Sequence, residues 1–106
     1  MKNLDDFDTT VNERIAADRK FAIALLDEAI EVFLNGESIT ARLVLRNLVN
    51  AAIGFEVLSV RLSIPSKSLH RMLSANGNPT MDNLTRIITE LKKELHVNFK
   101  LETVPA

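Results

Sequence analysis

Apolar residues recur at helical spacing through most of this chain and at alternate positions only near its end. Thr10 and Glu13 have the spacing of a capping box and predict a helix start. From there Ala22, Leu25, Leu26, Ala29, Ile30 and Phe33 line one helical face, and Asn35-Gly36 ends the run. Ser38 suits the N-cap of a second helix with Ala41, Val44, Leu45, Leu48 and Ala52 inward and Arg42 and Arg46 off that stripe; Gly54 is free to close it with a positive φ. The elements then shorten. Residues 55–62 give two turns with apolar positions at 55, 58 and 62, and Ser63-Ile64-Pro65 breaks the pattern. Pro65 suits a first helical turn. A helix from Ser66 to about Ser74 buries Leu69, Met72 and Leu73 and stops at Asn76-Gly77; Thr80 then caps a longer one with Leu84, Ile87, Ile88, Leu91 and Leu95 on one face.

That makes five helices in a single domain over residues 13–106, preceded by a polar, acidic stretch over residues 1–12 that predicts a flexible arm. Over residues 96–104 the period changes. Val97, Phe99, Leu101 and Thr103 alternate with His96, Asn98, Lys100 and Glu102, as in a half-buried strand. A lone strand needs a partner, either the same strand of a second copy or an edge of another protein's sheet. The expected class is all-α with a short closing β-strand.

Composition removes several kinds of chemistry. The chain has 106 residues and no cysteine, so disulfides, thiolate metal sites and cysteine nucleophiles are excluded. The longest apolar run, Phe21 to Leu26, is far short of the roughly 20 residues that cross a bilayer, and MKNLDDFDTT lacks the apolar stretch of a secretory signal. A cytoplasmic protein with no membrane contact is expected. A domain this small buries about two-thirds of its unfolded surface, room for a core but not for a deep cleft as well. His70 and His96 have no second histidine or carboxylate cluster at helical spacing, so neither an enzyme nor a metal or cofactor site is expected. Asp5, Asp6 and Asp8 lack the glycine and distal glutamate of a calcium loop. With no Trp or Tyr there is no stacking platform for single-stranded nucleic acid.

The net charge of −1 hides an asymmetry: residues 1–40 carry four basic against nine acidic groups, a net of −5, and residues 41–106 nine against five, a net of +4. In the basic part, FEVLSVRLSIPSKSLHRML over residues 55–73 has the spacing of a helix-turn-helix, with Leu58, Leu62, Ile64, Leu69 and Met72 inward. Such a unit braces its second helix so that the outer side chains meet a major groove about 12 Å wide. The outer residues here are Ser66, Lys67, His70 and Arg71, with Ser68 beside them. Arg71 suits a paired bond to guanine O6 and N7, Lys67 a base or a phosphate, and the serines phosphates or base edges.

The segment LHRMLSANGNPTMDNLTRIITEL resembles the most recognisable stretch of the addiction-module antidote proteins, the HigA-like helix-turn-helix antitoxins. The resemblance spans roughly residues 14–104. It implies a cytoplasmic, homodimeric, lambda-repressor-like domain that binds its own operator on double-stranded DNA and neutralises a small RelE-like toxin from the same operon. It further implies that Ser66, Lys67, His70 and Arg71 face DNA, while Asn76, Asn78 and Thr80 lie along the phosphate backbone, where a helix start at Thr80 suits an anion. Such toxins are basic, and the acidic first 40 residues have the sign that attracts one. Two positions depart from the usual pattern: Ser63 stands where glycine is common in the turn, at a cost of about 1 kcal/mol, and Ser59 where alanine is common. Between Phe55 and Thr80 three basic groups oppose one acidic group, so DNA affinity is expected to rely on a dimer that doubles the phosphate contacts. The alternative is a stand-alone, phage-type helix-turn-helix transcriptional regulator with no toxin.

Overall fold

A computed structural model describes residues 4–106, with side chains from Thr9 onward. Six α-helices occur among these residues: α1 (Leu4–Ala17), α2 (Arg19–Leu34), α3 (Ser38–Leu48), α4 (Phe55–Leu62), α5 (Ser66–Met72) and α6 (Met81–Leu95). A π-helical turn, Val49–Ile53, extends α3.

Helix α1 replaces most of the arm expected over residues 1–12. Val11 and Ile15, four residues apart, pack on the core and hold it there. The first three residues lie outside the described ones, as do the side chains of Asp5, Asp6 and Asp8 and any role for them. The capping-box start expected at Thr10 is likewise overturned, because the helix runs straight through it. The break comes at Asp18, whose extended backbone and Oδ1, accepting from the Phe21 N–H at 3.2 Å, start α2. One expected helix is therefore two. Ala22, Leu26 and Ala29 of α2 are buried as the pattern predicts, but Phe33, at the end of the stripe, is partly exposed. Ser38 is the first residue of α3, one position inside the cap assigned to it.

Helices α2 and α3 form a hairpin, α1 crosses both, and the π turn touches α1, α4 and α6. Val49 within that turn is fully buried, and the Gly54 N–H donates to the Val49 carbonyl at 2.7 Å. Gly54, at φ 94°, then turns the chain so that α4 leaves at 92° to the preceding helix. A β-carbon is disfavoured at that φ, which is why the bend falls on glycine. The core is continuous, and Leu26, Leu45, Leu48, Leu58, Leu69, Leu73, Ile87 and Leu91 are its largest fully buried members besides Val49.

Three helices end in the same way. Helices α2, α4 and α6 are each followed by a residue with positive φ, respectively Gly36, Ser63 and His96, and by a six-to-one backbone bond. The donors are Glu37 to Val32 at 2.8 Å, Ile64 to Ser59 at 3.2 Å and Val97 to Lys92 at 3.1 Å. After His96 the expected strand over residues 96–104 is absent; the described chain offers no sheet edge to pair it. Among the described residues no single helix is long and apolar enough to cross a membrane, and no group of three metal-binding side chains converges.

Ser63 is exposed and left-handed at φ 54°, ψ 41°. Ser63→Gly is expected to stabilise the fold by about 1 kcal/mol, measured as a shift in the urea midpoint; a loss of stability would mean that the serine side chain makes a contact the fold needs.

Candidate nucleic-acid interface

Helix α5 has seven residues, too few to persist without support. Leu69 is its one fully buried residue, and Leu73 just beyond is also fully buried. The turn before it is fixed from two sides. Ser59 Oγ donates to the Ile64 carbonyl at 2.6 Å, and Arg86 of α6 donates to the Leu62 carbonyl, placing a cation at the C-terminus of α4. Ser59, read from sequence only as a small packing residue, thus bonds across the turn. Pro65 precedes α5, and its carbonyl accepts the Leu69 N–H at 3.1 Å.

The imidazole of His70 stacks on the Phe55 ring of α4, with centroids 3.7 Å apart and planes at 18°. Sequence reasoning assigned His70 to the outer face alone. The stack ties α5 to α4 and takes up one face of the imidazole.

Beyond α5 the loop folds back on the helix. The Ser74 N–H and Oγ both donate to the Arg71 carbonyl, at 3.2 and 2.7 Å, and the Gly77 N–H donates to the Ser74 carbonyl at 3.0 Å. Arg42 of α3 fixes this loop, with Nε donating to the Ser74 carbonyl at 3.0 Å and Nη2 to the Ala75 carbonyl at 2.8 Å. Gly77 is buried, and a Cβ there would lie 2.3 Å from the Met72 carbonyl oxygen and 2.5 Å from that of Arg71. Glycine is required at 77 by this close approach, not by its φ. Thr80 Oγ1 accepts the Asn83 N–H at 3.1 Å and starts α6 as the sequence predicts.

The result is one surface. Lys67 and Arg71 are exposed on α5, Ser66, Ser68 and His70 are half-buried beside them, and Asn76, Asn78 and Thr80 are exposed on the loop. Arg71, Asn76, Asn78, Thr80 and Asn83 line an open depression of about 370 Å³ between the end of α5, the loop and the start of α6, with Lys67 outside it. Lys67 and Arg71 form no ion pair among the described residues, whereas Arg61 lies 3.2 Å from Glu94 and 3.8 Å from Glu90. Arg61 therefore offers less charge to an outside anion than Lys67 and Arg71, and Arg42, bonded to neutral carbonyls, keeps its charge beside the loop. Arg42, Ser59 and Arg86 are the contributors that sequence reasoning missed. Arg42 alone carried a signal, as a basic residue in a helix whose apolar stripe it does not share.

No family model, curated protein or solved structure matches this chain.

Two substitutions test the support of the loop. Gly77→Ala is expected to cost about 1–3 kcal/mol, because carbonyls rather than a flexible side chain stand in the way. Arg42→Ala is expected to cost about 1–2 kcal/mol and to speed amide exchange at residues 74–77, since two charged hydrogen bonds to partly exposed carbonyls are lost. Unchanged urea midpoints and exchange rates in both variants would show that the loop holds itself.

Proposed function

We propose that α4, the turn 63–65 and α5 act as a helix-turn-helix in a lambda-repressor-like domain, and that the chain is a homodimeric antitoxin. It binds double-stranded operator DNA through α5 and neutralises a RelE-like toxin encoded beside it. One observation carries the DNA half: Lys67 and Arg71 stand exposed on a braced short helix with no ion pair among the described residues, and Arg71 shares a depression with Asn76, Asn78 and Thr80. A braced helix presents side chains to base edges, and a loop leading into a helix start suits phosphate. Helix α5 supplies only two Lys/Arg charges per copy, Lys67 and Arg71, which favours a dimer on two half-sites.

The antitoxin half rests on the resemblance and on a second surface. Around the α2–α3 turn Phe33, Leu34, Ile39 and Leu43 are exposed among the acidic Asp27, Glu28, Glu31 and Glu37. An apolar patch with an acidic rim suits a basic protein partner, with charge speeding encounter and apolar area holding the complex.

On DNA, Arg71→Ala is expected to lose about 1–3 kcal/mol on the operator and to relax base choice, while Lys67→Ala lowers the salt slope by about 1. Titrations of operator and random duplex at several salt concentrations check this; equal loss on both duplexes for Arg71→Ala would refute base reading. For the toxin, the adjacent open reading frame is expressed alone and together with this chain. Growth arrest relieved by co-expression is expected, and a harmless neighbour would point to the stand-alone regulator instead.

A further inference from the structure

Residues 97–104 keep the alternation of a strand, yet nothing among the described residues pairs with them as one. Val97 is the last residue tied in: its N–H donates to the Lys92 carbonyl at 3.1 Å and its side chain packs on the core. Beyond it no backbone hydrogen bond joins the segment to the rest of the described chain. Phe99 is 37% exposed and Leu101 75% exposed. A segment with open backbone donors and acceptors and an alternating apolar row is a template for another strand.

We propose that residues 98–104 pair antiparallel with the same segment of a second copy, about a two-fold axis at Leu101. Charge selects this register. Centred on Leu101, each Lys100 faces the partner's Glu102, each Phe99 faces the partner's Thr103, and the two Leu101 side chains meet. Moving the centre by one residue in either direction sets lysine against lysine or glutamate against glutamate, which is unfavourable. Pro105, with no N–H, ends the ladder.

A two-stranded ribbon is marginal alone, so it needs a surface beneath it. Once extended, Phe99 and Leu101 share a face with Val97, which packs on the core, and the Phe99 ring already lies 5.9 Å from Lys92 Nζ of α6. The apolar face of the ribbon thus lies against α6 of both copies, and Lys100 and Glu102 remain in water. This deepens the homodimer of the proposed function by naming its surface, and it needs neither DNA nor toxin to form.

The test uses the full chain without DNA. Because the protein has no cysteine, Leu101→Cys introduces a single thiol. Mild oxidation is expected to cross-link it about tenfold faster than Phe99→Cys or Thr103→Cys, whose positions do not face themselves in this register. By sedimentation equilibrium, Lys100→Glu or Glu102→Lys alone is expected to raise the dimer Kd about tenfold, and the two together to restore it. Equal cross-linking at the three positions, no rescue by the double reversal, or a monomer at every concentration would overturn the proposal. The last outcome would leave the segment to the sheet of another protein, and DNA binding by Lys67 and Arg71 is measured separately from all of them.

Discussion

A helix of seven residues cannot hold its own shape in water, and the outer face of α5 exists only because its surroundings supply what it lacks. Leu69 and Leu73 anchor it in the core that α2, α3 and α6 share. Ser59 and Arg86 fix the turn before it, and Arg42 fixes the loop after it. All three use side-chain donors to satisfy carbonyls that helix ends and tight turns would otherwise leave to water. The bend at Gly54 matters in the same way, because without it α4 would continue along α3 and α5 would have nothing behind it.

Charge in this chain serves two ends. Arg19 donates to the Leu95 carbonyl at 2.6 Å, Arg42 and Arg86 to carbonyls of the loop and the turn, and Arg61 is ion-paired to α6. Guanidinium groups suit this work because several fixed donors reach backbone oxygens at once. Lys67 and Arg71 sit on the outer side of the frame those arginines build. A count of basic residues is thus a poor guide to what this surface offers an anion, and the modest net charge of −1 does not exclude a cationic strip.

Most of the fold was legible because apolar spacing is read directly by burial. Leu45, Leu48, Leu58, Leu69, Leu73, Ile87, Leu91 and Leu95 all went inward, and Gly54 and Ser63 took the positive φ their positions required. Boundaries set by longer-range packing were harder to read. The acidic start gave no sign of α1 because its apolar contacts, Val11 and Ile15, are sparse, and only the rest of the core rewards them. Asp18 breaks the first helix ahead of Ala22, where the apolar stripe begins and no spacing marks a boundary, and the π turn adds one residue that periodicity does not record. Of the candidate site residues, the outward positions of Lys67 and Arg71 follow from helical spacing and Asn76, Asn78 and Thr80 enter through the resemblance, whereas the bracing by Arg42 and Arg86 depends on contacts 24 to 33 residues away in the chain.

If α5 and the loop after it form one nucleic-acid-binding surface, as proposed, DNA must perturb both together. The most direct measurement is the change in backbone amide NMR shifts when duplex DNA of mixed sequence is added at low salt, where contacts to phosphate alone sustain binding. The largest changes are expected at residues 66–71 and 76–83, reversed by added salt. Changes concentrated around the α2–α3 turn, or none at any salt concentration, would contradict it.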